Sequence, residues 1–125
     1  MSKNSSLTNG FKEAFDWDGG WVRALEEDIS TLYSREMDLD DECRRLRRLM
    51  KKLRRKGVES KDMRICAEGF LGRVLNHHDR LNQYPGDSME KLFWDAEEFW
   101  IEADKITKDM RRFRKKMETE VLWAV

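Results

Sequence analysis

The sequence predicts an all-α fold, an up-down-up three-helix bundle whose long first and third helices pack like a coiled coil. Three observations predict it. Apolar side chains recur at alternating steps of three and four residues through three segments of the chain. The single proline, Pro85, lies between the second and third of these segments. Both connections are only a few residues long, which makes consecutive helices antiparallel neighbours, and 125 residues fit one domain.

The first segment predicts a helix over about residues 20–56, with a heptad seam that only Glu36 interrupts. At 1.5 Å per residue, a helix of this length extends about 50 Å. Gly57 follows at the position where a left-handed glycine commonly ends a helix. The seam consists of Val22, Leu25, Ile29, Leu32, Leu39, Cys43, Leu46, Met50 and Leu53.

The second and third segments predict helices over about residues 60–83 and 87–123. Ser60 can cap the second helix. A Tyr-Pro-Gly-Asp turn precedes the third, which Asp87 or Ser88 can cap. The apolar face of the middle helix consists of Met63, Cys66, Ala67, Phe70, Leu71, Val74, Leu75, His77 and Leu81. The third seam consists of Met89, Leu92, Ala96, Phe99, Ala103, Ile106, Met110, Phe113 and Met117.

Residues 1–20 are interpreted as a flexible N-terminal segment with a short aromatic motif, and residues 21–125 as the bundle. The motif contains Phe11, Phe15 and Trp17 among acidic residues. It is either a short helix that folds back on the bundle or a docking peptide for another protein. We favour folding back, because isolated exposed aromatic side chains are unfavourable and cover is available.

The composition excludes several classes of protein. No run of about 18 apolar residues occurs, which disfavours a membrane span, and the polar start lacks the apolar core of a signal peptide. We therefore expect an intracellular protein, with nucleus and cytoplasm both open. Cys43 and Cys66 do not make a disulfide framework.

A small all-helical enzyme is the competing class. Helical chorismate mutases resemble the predicted order of a long, a short and a long helix. Residues 58–65 contain a lysine, an acid and an arginine, but they lack the neighbouring glutamate of that family's pattern. The chain also has no phosphate-binding glycine loop, nucleophile motif or zinc-ligand spacing. We therefore expect no enzymatic activity, no catalytic residues, no cofactor and no metal.

Two adjacent histidines, His77 and His78, suggest a metal site at first sight. Adjacent side chains on a helix diverge by about 100°, however, so sharing one metal ion is awkward. The short connection after residue 57 places His77 beside the acidic residues 38–42. We interpret His77 as a hydrogen-bonded packing residue or a pH-sensitive contact.

Charge is sorted along the chain although the net charge is zero. Residues 21–42 and 84–104 each carry a net charge of −6, whereas residues 43–56 contain nine bases and no acid, and residues 105–116 carry +6. Because the first and third helices of an up-down-up bundle are parallel, their basic ends lie together. Favourable interaction with the helix dipoles explains only part of this excess.

These observations predict a non-enzymatic helical adaptor or accessory protein, viral or regulatory, whose basic end binds RNA or an acidic protein partner. No exposed aromatic residue interleaves the bases, so sequence selectivity should be weak. The alternative is a coiled-coil scaffold whose charges organise self-assembly. The candidate anion-binding residues are Arg44, Arg45, Arg47, Arg48, Lys51, Lys52, Arg54, Arg55, Arg111, Arg112, Arg114 and Lys115.

The predicted register also suggests a homodimer. The first helix begins about ten residues beyond the end of the middle helix, and the third continues about ten beyond its other end. Apolar residues at both ends then lack cover, and oppositely charged ends suit an antiparallel dimer. Folding back of the aromatic motif could cover only the first gap. The candidate interface residues are Val22, Leu25, Ile29, Phe113, Met117, Val121 and Trp123.

Overall fold

The computed structural model describes residues 20–83 and 89–123 and confirms an all-α three-helix bundle. Its helices are α1 (Gly20–Arg55), α2 (Lys61–Leu81) and α3 (Met89–Met117), and a π-helical turn at Glu118–Leu122 follows α3. These two ranges contain no strand. The aromatic motif of Phe11, Phe15 and Trp17, the turn after Gln83 and the caps proposed at Asp87 and Ser88 lie outside the described residues.

The connection between α1 and α2 has the predicted chemistry. Gly57 has a φ of 71°, and its N–H donates to the carbonyl of Arg54 at 3.1 Å, while the N–H of Val58 donates to the carbonyl of Leu53 at 3.0 Å. This pair of bonds is the Schellman pattern that ends a helix at a left-handed glycine. The Ser60 hydroxyl then accepts the N–H of Met63 at 3.1 Å and caps α2.

Helices α1 and α3 run parallel and pack closely along their lengths. Leu32 contacts Ala96 and Phe99 near their N-terminal ends, and Leu53 packs with Met117 near the other end. Helix α2 runs antiparallel to both and places apolar side chains between them. The central core consists of Leu39, Cys43, Leu46, Ala67, Val74, Ala103, Ile106 and Met110.

Apolar residues near both ends of the bundle, which the predicted register leaves bare, are covered in the structure. Leu25 is 8% exposed and Met117 9% exposed within the single chain. Met117 packs with Leu49 and Leu53 of α1, and Val58 and Met63 lie in the same apolar cluster. Ile29, Phe113 and Val121 are partly buried against the same apolar clusters. The side chain of Val22 lies outside the described residues. Of the candidate interface residues described, Trp123 alone is strongly exposed, at 70%.

The end of α3 also differs from the continuous helix expected to residue 123. The α-helix ends at Met117, and the N–H of Trp123 donates to the carbonyl of Glu118 at 2.9 Å, closing a π turn. A π turn is wider than an α turn, so the side chains that follow leave the heptad phase. Val121 and Leu122 pack on the apolar cluster that contains Leu49 and Leu53, whereas Trp123 lies outside this cluster.

Candidate functional site at the basic end

The basic residues of α1 form two exposed stripes, one on each side of the buried residues Leu46, Leu49 and Leu53. Each stripe advances by steps of three and four residues, the spacing that keeps side chains on one face of a helix. The α2-side stripe consists of Arg44, Arg47, Lys51 and Arg54. The α3-side stripe consists of Arg45, Arg48, Lys52 and Arg55.

Acidic neighbours partly neutralise the α2-side stripe. Arg44 donates to Asp41 at 3.0 Å, and Arg54 lies 3.6 Å from Glu59. Arg47 and Lys51 line a groove of about 210 Å³ between α1 and α2, together with both acidic and basic side chains. This face therefore presents charges of both signs.

The α3-side stripe has no ion-pair partner among residues 20–83 and 89–123. Arg45, Arg48 and Lys52 line an open groove of about 340 Å³ that the end of α3 and the π turn complete. The acid in this groove, Glu118, accepts a hydrogen bond from Arg114 at 2.6 Å. The groove therefore combines bases that have no ion-pair partner in the described residues with an acid that is paired with Arg114.

Helix α3 adds further bases at this end of the bundle. Arg112 is 80% exposed in its side chain and lies 3.8 Å from Asp109. Lys115 is exposed and has no ion-pair partner in the described part of the chain. Arg111 is half-exposed and donates its Nε to Glu42 at 3.2 Å. The structure thus brings together the two basic segments, as the parallel arrangement of α1 and α3 requires.

Arg114 differs from the other candidate anion-binding residues because it points into the bundle. Its guanidinium is buried, donates to both carboxylate oxygens of Glu42 and donates a third hydrogen bond to Glu118. The bond to Glu42 raises the pKa of Arg114. Burial alone would raise the pKa of Glu42, but Arg114 and Arg111 outweigh it and lower that pKa. We therefore leave Arg114 out of the exposed surface.

A second buried polar cluster is centred on His77, whose side chain is fully buried. Its Nε2 lies 2.5 Å from Glu36 of α1, and its Nδ1 lies 2.5 Å from Glu102 of α3. Arg80 also donates to Glu102 at 2.7 Å, and His78 lies 3.5 Å from Glu36. Because both ring nitrogens face carboxylates, both act as donors only in the imidazolium form.

The electrostatics of His77 favour that charged form. Burial of the ring lowers its pKa, but hydrogen bonds from the ring to Glu36 and Glu102, and the charges of these groups, outweigh burial and raise the pKa of His77. Burial alone would raise the pKa of Glu102. Hydrogen bonds from His77 and Arg80, and the charges of these groups, outweigh burial and lower that pKa. Through Glu36 of α1 and Glu102 of α3, His77 of α2 links all three helices by polar contacts.

Residues 20–83 and 89–123 contain no cluster of three or more His, Cys, Asp or Glu side chains arranged to hold a metal ion. Cys43 is buried, and burial raises the pKa of its thiol, whereas Cys66 is exposed. None of the described helices carries an apolar stretch long enough to cross a bilayer.

Fold and site together define a three-helix bundle with buried polar layers and one strongly basic end. Comparison with protein-family models, with curated protein sequences and with solved structures finds no match to this chain. Its function is therefore argued from the surface itself.

Proposed function

We propose that this chain is a non-enzymatic helical adaptor or accessory protein that binds RNA phosphates at its basic end. The observation that carries the proposal is the α3-side stripe, four exposed bases without an ion-pair partner in the described residues. Like charges on successive helical turns repel one another, and each such pair costs a helix a few tenths of a kcal/mol. A polyanion relieves this repulsion by placing phosphates between the bases.

The stripe has suitable dimensions for a phosphate backbone. Arg45 and Arg55 are ten residues apart, which places their Cα atoms about 15 Å from each other along the axis. Lys115 adds an exposed base of α3 at this end, whereas Arg112 lines a separate groove with Phe70 and Arg73 of α2. Phosphate contacts position a nucleic acid but carry no base information, so this surface alone binds RNA with little sequence preference.

Salt dependence of binding tests the proposal directly. If five or six phosphates are neutralised, the logarithm of RNA affinity should fall with the logarithm of salt concentration with a slope of about −3.5 to −5.5. Fluorescence anisotropy with a labelled single-stranded RNA measures this slope. Affinity that does not change with salt, or no binding at physiological salt, contradicts RNA as the ligand and leaves an acidic protein as the partner to test.

Two matched triple variants locate the site on one stripe. Arg45→Gln, Arg48→Gln and Lys52→Gln together should weaken RNA binding and reduce the magnitude of the salt slope by about 2, since each lost phosphate contact removes about 0.7. The control combines Arg44→Gln, Arg47→Gln and Arg54→Gln, which removes the same charge from the α2-side stripe. Equal losses in both variants would show that total charge, rather than the α3-side stripe, governs binding.

One triple variant that combines Arg47→Glu, Arg48→Glu and Arg54→Glu gives a simpler first experiment. None of the three side chains contributes to the buried core, so helix content measured by circular dichroism should stay unchanged. RNA affinity and the magnitude of its salt slope should both decrease. Full RNA affinity in this variant would favour the scaffold alternative.

The alternative function is a coiled-coil scaffold that self-associates as a homodimer. The observation in its favour is apolar surface on α2, where Ile65 is 55% and Leu75 61% exposed. Burying these side chains against a second copy would be favourable at about 25 cal/mol per Å². Light scattering at tens of micromolar measures the mass: a dimer that Ile65→Ser and Leu75→Ser dissociate supports this alternative, and a monomer contradicts it.

A further inference from the structure

The groove on the α3 side of α1 contains an aromatic residue among the bases. Trp123 lines it together with Arg45, Arg48 and Lys52, and its side chain is 70% exposed. The sequence predicted no exposed aromatic residue between the bases, and Trp123 was expected to add apolar area to a dimer interface. The π turn at Glu118–Leu122 changes that placement.

The composition of this groove matches the two chemical parts of a nucleotide. An exposed indole ring offers a flat π surface on which a base of any identity can stack. Arginine and lysine side chains contact phosphate as charge-assisted donors. Glu118, the acid in the groove, is held by Arg114 and so does not leave an unpaired negative charge against the phosphate.

We propose that this groove is a nucleotide-binding subsite for single-stranded RNA, in which a base stacks on Trp123 while adjacent phosphates contact Arg45, Arg48 and Lys52. This inference rests on the proposed RNA binding and deepens it. Bases in a duplex are stacked on each other and are not available to the indole, whereas bases of a single strand can be splayed onto it. The subsite therefore favours single-stranded over double-stranded RNA.

The turn that precedes Trp123 is packed against α1. Leu122, beside Trp123, is half-buried with Val121 against Leu49 and Leu53 of α1. Arg114 anchors the preceding turn by bonding Glu118 and Glu42 at once. The indole is thus carried on a packed turn rather than on a free end, which lowers the entropy cost of stacking.

Affinity measurements with two forms of RNA test the subsite. Trp123→Ala should weaken binding of a short single-stranded RNA by roughly 5- to 150-fold, the range that loss of one stacked base produces. Binding of a duplex RNA of equal charge should stay within about twofold. Trp123→Phe should retain most of the single-strand affinity. Tyr33→Ala is the matched control, because Tyr33 is 59% exposed on α1 but lies about 18 Å from Arg45 along the axis.

A 2-aminopurine base in the single-stranded RNA reports stacking itself. Its fluorescence should be quenched by the wild-type protein and by Tyr33→Ala, and should recover with Trp123→Ala. Wild-type protein that binds neither RNA overturns both the proposed function and the subsite. Wild-type binding that Trp123→Ala leaves unchanged, or weakens equally for both RNAs, overturns the subsite alone. If the wild-type protein is a dimer and Trp123→Ala makes it a monomer without loss of single-strand affinity, Trp123 belongs to an interface. That result also overturns the subsite.

Discussion

At the scale of single residues, the exception to the heptad seam is explained by a partner on another helix. Glu36 stands where the periodicity of α1 calls for an apolar residue, and His77 occupies an apolar step of α2. The structure pairs them at 2.5 Å. Glu36 breaks the apolar pattern of α1, and His77 breaks that of α2. The short connection after residue 57 places these two positions at the same height in the bundle. Two such breaks at one height are a signal in the sequence for a buried polar contact.

The raised pKa of His77 makes stability depend on pH. Its pKa is raised above the ordinary 6.5, so below that pH the ring is protonated in both the folded and the unfolded chain and its ion pairs contribute fully. As pH rises above about 6.5 and through the folded-state pKa, that contribution is lost. We expect the free energy of unfolding, measured with urea, to decrease across this window.

Two substitutions separate His77 from other titrating groups. His77→Gln should lower stability near pH 6 and flatten the decrease at higher pH, because the neutral amide carries no titrating charge. His78→Gln, at a partly exposed neighbour, should keep the wild-type profile. A His77→Gln profile as steep as that of the wild type would assign the pH dependence to another group.

The buried pair of Glu42 and Arg114 should be more sensitive to substitution than any exposed base. Arg114→Met leaves the carboxylate of Glu42, which is 1% exposed, with the half-exposed Arg111 as its remaining partner. Breaking a buried pair by removing one partner costs about 3–5 kcal/mol, whereas exposed changes such as Arg112→Met stay within about 0.5 kcal/mol. Chemical denaturation of both variants measures the difference, and similar values for the two would contradict a structural role for Arg114.

At the scale of helices, the boundary between α1 and α2 followed from local chemistry, but the end of α3 and the packing did not. Gly57 and Ser60 are read directly from the sequence because their effects involve only near neighbours. The close contact of α1 with α3 depends on how three apolar faces share one core, which the periodicity of one helix does not encode. The cover of Met117 by Leu49 and Leu53 was missed for this reason.

Two glycine substitutions should change stability in opposite directions. Gly57→Ala places a Cβ on a residue with φ of 71° and should destabilise the protein by about 1 kcal/mol, although nothing lies within 4 Å of that Cβ. Gly69→Ala lies inside α2, also in open space, and should stabilise by about 0.5–1 kcal/mol. Thermal and urea unfolding measure both. The same sign for the two variants would contradict the left-handed end of α1.

At the scale of the whole molecule, the sorted charges of the sequence predict one basic end because parallel helices place equal ends together. The sequence did not reveal which bases face inward, since Arg114 differs from Arg112 only in what lies opposite it. Nor did it place Trp123, whose position depends on a π turn that no residue pattern announces. Surface charge was thus predictable, but the composition of the groove was not.

Arg45 and Arg48, which have no ion-pair partner in residues 20–83 and 89–123, should cost stability because like charges one turn apart repel. The double variant Arg45→Gln and Arg48→Gln removes two neighbouring like charges. Both positions precede the last turn of α1, and glutamine has a helix propensity similar to that of arginine. We expect the free energy of unfolding at low salt to rise by a few tenths of a kcal/mol, and RNA affinity to fall. Salt screens the repulsion, so this gain should shrink as ionic strength increases.

The control for this last prediction removes the same charge where it is paired. Arg44→Gln with Arg54→Gln loses the contacts to Asp41 and Glu59, so its stability should not rise. Calorimetric melting at low and high salt compares the two variants, and anisotropy compares their RNA affinity. A gain in stability confined to the α3-side pair, together with a loss of RNA affinity, is the result expected of a surface whose repulsion a bound polyanion relieves. If both pairs gain equally, the repulsion belongs to the whole basic end, and the α3-side stripe has no special place in binding.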